Sequence, residues 1–255
     1  MSIDAAQLSI LWPALLAGLL VTATHVPLGM QVLERGIVFI DLAIAQIAGV
    51  GVIFADYLGW EPTGAAVQIA ALSAALACAA LLTWTERRWP EVQEAMIGVV
   101  FVVGSSAAIL LLAKNPHGGE NLRDLLAGQI LWVSPARLPL DAFVYGVIMA
   151  LWFGLRERIG RIGFYALFAC VVTISVQLVG LFLVFSTLVI PALATFYSPR
   201  RYRHQKAYAV GALGYAAGLT VSAIADLPSG AMIVCAMAAL GLAFFLLTSR
   251  PQSRI

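Results

Sequence analysis

The sequence predicts an all-α, polytopic membrane protein of about nine transmembrane helices, one of them short and interrupted by proline. Three observations carry that prediction. Of the 255 residues, 62% are hydrophobic and 11% charged, whereas soluble domains are about 45–50% apolar and about 25% charged. The apolar residues fall in runs mostly of roughly 18 to 25, the length a helix needs to cross a hydrocarbon core about 30 Å thick. The basic residues gather in short clusters between those runs, the pattern of loops on the cytoplasmic side. A mean hydropathy of +0.94 agrees.

The first span runs from about Leu8 to Leu28 and is expected to be interrupted by Pro13, His25 and Pro27. The second lies between Arg35 and Asp56, where the single ionisable residue is Asp41. After GWEPTG comes a third span, about Ala65 to Trp84, closed by Glu86, Arg87 and Arg88; the fourth covers about Met96 to Ala113. The polar stretch KNPHGGENLRD follows, then LLAGQILWVS, too short to cross and expected as an interfacial or re-entrant piece. A fifth span, about Leu138 to Leu155, ends at Arg156, Arg158 and Arg161. From Gly163 to Tyr197 there are 35 residues without a charge, too many for one crossing and too few for two full ones. The run therefore divides at Val179–Gly180 into a full sixth span and a shorter seventh that contains Pro191. The cluster RRYRHQK precedes an eighth span, about Ala207 to Ala225. In the turn DLPSG, Asp226 is expected to cap the N-terminus of a ninth span, about Ala231 to Leu247.

Counting bases tests this division. With the N-terminus outside and the C-terminus cytoplasmic, the inner segments hold Arg35, Arg87, Arg88, Arg156, Arg158, Arg161, Arg200, Arg201, Arg203, Lys206, Arg250 and Arg254. The outer segments hold only Lys114, Arg123 and Arg137. That bias is the one the positive-inside rule requires, and it depends on the uncharged run crossing twice. No linker or low-complexity tract divides the chain, so residues 1–255 are read as one membrane domain. The N-terminal segment lacks the basic residues of a cleaved signal peptide.

Several function classes are set aside. There is no GxxxxGK[ST] phosphate loop, so no ATPase activity of that type is expected of this chain; HExxH and GxSxG are absent too. A net charge of +2 carried by loop clusters gives no footprint for nucleic acid. Cys78, Cys170 and Cys235 are isolated in apolar runs and read as small fillers.

Polar residues inside the apolar runs are the candidates for chemistry. A carboxylate at Asp41 costs about 2.5–3.5 kcal/mol at a helix centre, so such acids face a protein interior or a wet cavity. Two readings stand: Asp41 pairs with Arg35 or a neighbouring helix, or it borders a path. Ala45 and Gly49, with Ala48 beside them, give its face room for a close helix or a passage. His25 offers an imidazole for a transition metal or an interhelical hydrogen bond. Gln46 suits helix-to-helix bonds, and Gln177 is a further polar group within the apolar runs. His117 and Glu120, three apart in an outer loop, would form a weak outer site for a divalent cation or lie free in solvent. Arg156, Arg158 and Arg161 satisfy topology and offer a contact for a cytoplasmic partner.

Four segments in order, PLGMQVLERGIVFIDLAIAQIAGVGV, LLAGQILWVS, QLVGLFLVFSTLVIPALAT and DLPSGAMIVCAMAAL, resemble the membrane permeases of ATP-binding-cassette importers for zinc, manganese and iron. The resemblance spans about Gly18 to Leu247, and Val179 to Thr195 is its most specific piece. It implies a homodimeric permease of the bacterial inner membrane with a central path. A separate cytoplasmic ATPase and an extracytoplasmic metal-binding protein would be its partners, and a divalent metal its cargo, with no permanently bound cofactor. Two departures are visible. Many members of that family carry an Asp followed four residues later by His; here the residue four after Asp41 is Ala45, which turns attention to His25 as a substitute ligand. The inner segment between spans five and six is reduced to LRERIGRIGF, leaving Arg156, Arg158 and Arg161 as the candidate ATPase contact. Two other readings are an ion-gradient transporter with Asp41 as its proton or Na⁺ site, and a scaffold without a path.

Overall fold

The computed structural model describes residues 5–60, 64–112, 130–155 and 160–248, and among these the chain forms α-helices, two 3₁₀ turns and no strand. The helices are α1 Ala5–Arg35, α2 Ile40–Tyr57, α3 Ala65–Arg88, α4 Gln93–Leu112, α5 Leu138–Leu155, α6 Gly160–Val179, α7 Leu181–Ala194, α8 Arg200–Ala225 and α9 Ser229–Thr248. Seven are long and apolar enough to cross a bilayer. Helices α5 and α7 are shorter, and the 14 residues of α7 rise only about 21 Å. The protein is thus an all-α, multi-pass membrane protein, as its composition predicts.

Helix α1 passes through both of its prolines without a break and continues to Arg35. Pro27 has no N–H, so the carbonyl of Ala23, four residues back, loses its helical donor. The hydroxyl of Tyr208 donates to that oxygen at 3.3 Å, the kind of replacement partner that membrane-embedded backbone requires. Gly36, at φ +69°, then ends α1 in the left-handed conformation glycine adopts without strain.

The long uncharged run divides where its length demanded. Gly180 sits between α6 and α7 at φ 87° and ψ 162°, a region essentially closed to side chains. Asp226 does not cap the ninth helix as expected. It closes α8 in the left-handed conformation, φ 53° and ψ 46°, which short polar side chains tolerate better than most; α9 begins three residues later at Ser229. Of LLAGQILWVS, residues 130–134 are described, and Ile130–Trp132 is a 3₁₀ turn packed against α1.

The helices sort into two packed groups. One is α2, α3, α4 and α6; the other is α1, α7, α8 and α9. They meet along a seam where α6 and α7, α1 and α6, and α2 and α7 touch, with α5 bridging α1 and α6. Close backbone approach marks the second group: a Cβ on Gly29 of α1 would collide with the carbonyl oxygen of Leu188 in α7. At the seam Phe164 gathers Trp152, Tyr165 and Phe168 at centroid distances of 5.6–5.7 Å.

Candidate functional site

Asp41 stands at the point where α1 gives way to α2. Because Gly36 stops α1 and α2 starts only at Ile40, Asp41 lies in the first turn of its helix, closer to a helix end than an unbroken span from Arg35 would place it. Unpaired amide N–H groups and the positive end of the helix dipole favour a carboxylate there. The side chain is completely buried, and neither carboxylate oxygen has a hydrogen-bond partner; the amides of Asp41 and Leu42 face it short of bonding geometry. Arg35 does not pair with it. That guanidinium lies 4.1 Å from the ring centroid of Phe164 and leaves Nη1 buried without a partner.

The residues around this turn belong to the seam. Phe39, the residue that precedes α2, stacks on Phe185 of α7 with centroids 6.0 Å apart and planes 8° from parallel. Its backbone N–H donates to Glu94 Oε1 at 3.3 Å, while Glu94 Oε2 is buried and unpartnered. Glu94 escaped the sequence reading because it stands just outside the fourth apolar run, where an acid reads as solvated. An acid in the first turn of a helix beside another helix break was the available signal. Gln93 ties the same end together. It accepts from Thr85 at 2.9 Å and donates to the Leu82 carbonyl at 3.0 Å and to Tyr165 Oη at 3.4 Å.

The small residues of α2 serve helix packing. Ala45, Ala48 and Gly49 are buried, and a Cβ on Gly51 would come within 2.8 Å of the Ala70 carbonyl oxygen in α3. On the α4 side, Gly104 admits Ile47 and Gln46.

His25 is also fully buried, in α1. Its Nδ1 lies 3.0 Å from the Val21 carbonyl oxygen and 3.0 Å from Thr24 Oγ1. Because the Thr24 hydroxyl donates to that same carbonyl, the consistent assignment puts the ring proton on Nδ1. Nε2 then carries the lone pair, and it is buried without a partner. A ring nitrogen anchored by a backbone carbonyl with the other left open is the arrangement typical of metal-binding histidines. His25 and Asp41 nevertheless stand in different helix groups, and α1 and α2 do not pack against each other along their lengths. Among the described residues no three His, Cys, Asp or Glu come together.

Tyr145 of α5 bonds Ser175 of α6 at 2.6 Å, and within the second group Thr187 of α7 bonds Tyr215 of α8 at 2.9 Å. Thr173 Oγ1 and Gln177 Oε1 of α6 are buried without partners. The hydroxyls were not picked out in the sequence, because Ser and Thr in membrane helices usually bond their own backbone, as Thr22, Thr83 and Ser186 do here. His117, Glu120, Arg156 and Arg158 lie outside the described residues; Arg161 is exposed in the first turn of α6.

A helical bundle of this length, split into two groups and with unpaired polar atoms buried among its helices, is a multi-pass membrane domain whose interior keeps open polar positions. The chain belongs to the ABC 3 transport family, whose model matches residues 7–157 and 149–248; the family comprises permease subunits of ABC transporters. The two matched segments overlap over residues 149–157, at the end of α5. The chain is similar to the uncharacterized membrane protein slr2045 of Synechocystis sp., at 27% identity over 91% of this chain and 88% of that one. It is 25% identical to the manganese transport system membrane protein MntC of Halalkalibacterium halodurans, over 93% and 87% of the two chains. Its fold is shared by a chain of PsaBC from Streptococcus pneumoniae, solved in complex with Fab, with a TM-score of 0.76 at 19% identity over 94% and 92% of the chains.

Proposed function

We propose that this chain is the membrane-spanning subunit of an importer for a divalent transition metal. It would work as a homodimer with a separate cytoplasmic ATPase and an extracytoplasmic metal-binding protein, with its N-terminus outside. The observation that carries the reading is the Asp41 carboxylate, fully buried at a helix break and without a partner. A structural acid in this position would be paired, because an isolated buried charge is costly; a transit site leaves its oxygens free. Manganese is the favoured cargo within the zinc, manganese and iron group, since the relative from H. halodurans is a manganese transport protein and carboxylate oxygen suits Mn²⁺. Ala45 in place of an imidazole points the same way.

In this mechanism the binding protein delivers the ion to the outer mouth, His25 Nε2 and Asp41 act as separate stations, and buried oxygens of α6 such as those of Thr173 and Gln177 assist between them. Weak, successive sites favour release better than one closed cage. ATP hydrolysis on the partner drives the two helix groups between outward and inward arrangements. Arg156, Arg158 and Arg161 are the proposed contact with it, and His117 with Glu120 the proposed outer cation site. The test is ATP hydrolysis by the reconstituted complex. Metal-loaded binding protein is expected to stimulate wild type and to leave Asp41→Ala at its basal rate; equal stimulation of both would remove Asp41 from the path.

A further inference from the structure

A second polar centre lies away from the Asp41 seam. The C-terminal ends of α1 and α5 and the first turns of α8 enclose a cavity of about 270 Å³, walled chiefly by Glu34, Trp152, Phe153, Arg200, Arg203 and His204. That volume is more than ten times what one water needs. Arg203 organises it. Although it is only 8% exposed, its Nη1 donates to Glu34 Oε1 at 3.0 Å and its guanidinium lies 5.3 Å from the ring centroid of Phe196. These contacts hold the fork in place, yet Nε and Nη2 are buried with no partner. Those two atoms form the side edge of the guanidinium, the pair of parallel donors that fits the oxygens of a carboxylate or phosphate.

Charge and shape narrow the occupant. Arg200 and Arg203 face one carboxylate, Glu34, so the cavity keeps a surplus positive charge before His204 is counted, and the N-terminus of α8 adds to it. One wall is apolar: Trp152 is buried, and Phe153, 57% exposed on the outside of α5, faces the surroundings of the bundle. A basic pocket between helix ends with an aromatic flank suits a molecule with a phosphate at one end and hydrocarbon at the other. We propose that this cavity binds the headgroup phosphate of an anionic phospholipid, with the charges of Arg200 and Arg203 drawing it in, a small shift of the Arg203 side chain presenting Nε and Nη2 to its oxygens, and the acyl chains running along Phe153. Bound there, the lipid clips α8 to the end of α1, two residues before the Gly36 turn that leads to Asp41.

The experiment follows lipid retention on the full-length chain by native mass spectrometry, together with its thermal midpoint on titration with phosphatidylglycerol, phosphatidylcholine or inorganic phosphate. Phosphatidylglycerol alone is expected to be retained and to raise the midpoint. Arg200→Gln combined with Arg203→Gln should weaken retention tenfold or more, while Arg87→Gln on the exposed last turn of α3 leaves it unchanged. Glu34→Gln removes the competing carboxylate and should hold the lipid at least as tightly, a gain that a misfolded chain could not show. Retention equal to wild type in the double variant would overturn the proposal, as would equal protection by phosphatidylcholine. A full midpoint shift with inorganic phosphate alone would make this a free-anion site and overturn the lipid assignment. Loss of the ATPase subunit from the double variant with lipid retention intact would do the same in favour of a protein contact.

Discussion

Helices α2 and α9 are both long enough to cross a bilayer, yet 56% of the spanning window is buried in α2 and 17% in α9. The less apolar of the two is the more buried. In water the order would be reversed, because apolar surface is what a soluble core collects. In lipid the hydrocarbon outside is as apolar as leucine, so burial goes instead to small residues that let backbones approach and to polar groups that need protein around them. Helix α2 has both, in Gly49, Gly51, Asp41 and Gln46. Helix α9 turns Leu240, Leu242, Leu246 and Leu247 outward.

Five substitutions sharpen or break that contrast, each read from thermal or denaturant unfolding in detergent. Gly29→Ala should cost the most, about 3 kcal/mol or more, because the added methyl meets the Leu188 carbonyl, a backbone atom that cannot swing away. The same change at Gly146 of α5, which has nothing within 4 Å, should stay within about 0.5 kcal/mol. Gly180→Ala should cost about 2 kcal/mol by forcing a side chain into the glycine-only backbone at the α6–α7 junction. Tyr215→Phe leaves Thr187 without its 2.9 Å partner and should cost about 1 kcal/mol. Leu242→Ala, 59% exposed on α9, should change stability by about 0.5 kcal/mol or less. A loss several times larger there would mean that the outer face of α9 meets protein, such as a second copy of the chain, and the contrast would need redrawing.

The fold was largely legible because length and charge constrain a membrane chain so tightly. The 35-residue uncharged run could be divided at Val179–Gly180 from crossing length and base count, and the break falls there. What could not be read were features set by tertiary partners. Pro27 looked like an interruption until Tyr208 supplied the missing donor. Asp226 carried a helix-capping signature that serves equally at the end of one helix and the start of the next, and the left-handed closure of α8 took it. The candidate site was half legible. Asp41 and His25 announced themselves as ionisable groups in apolar runs, whereas Glu94 and Thr173 acquire meaning only from what packs against them. No pattern in the sequence brings the Arg203 fork to Glu34, 169 positions away in the chain.

The central claim is that the Asp41 carboxylate stays unpaired because ions use it, not because the fold needs it. Manganese uptake into liposomes carrying the whole transporter, measured for Asp41→Asn beside its unfolding midpoint, tests that directly. The amide keeps the shape and removes the charge, so the midpoint should hold or rise while uptake falls at least tenfold. Wild-type uptake by this variant, or a collapse of the fold with it, would contradict the account.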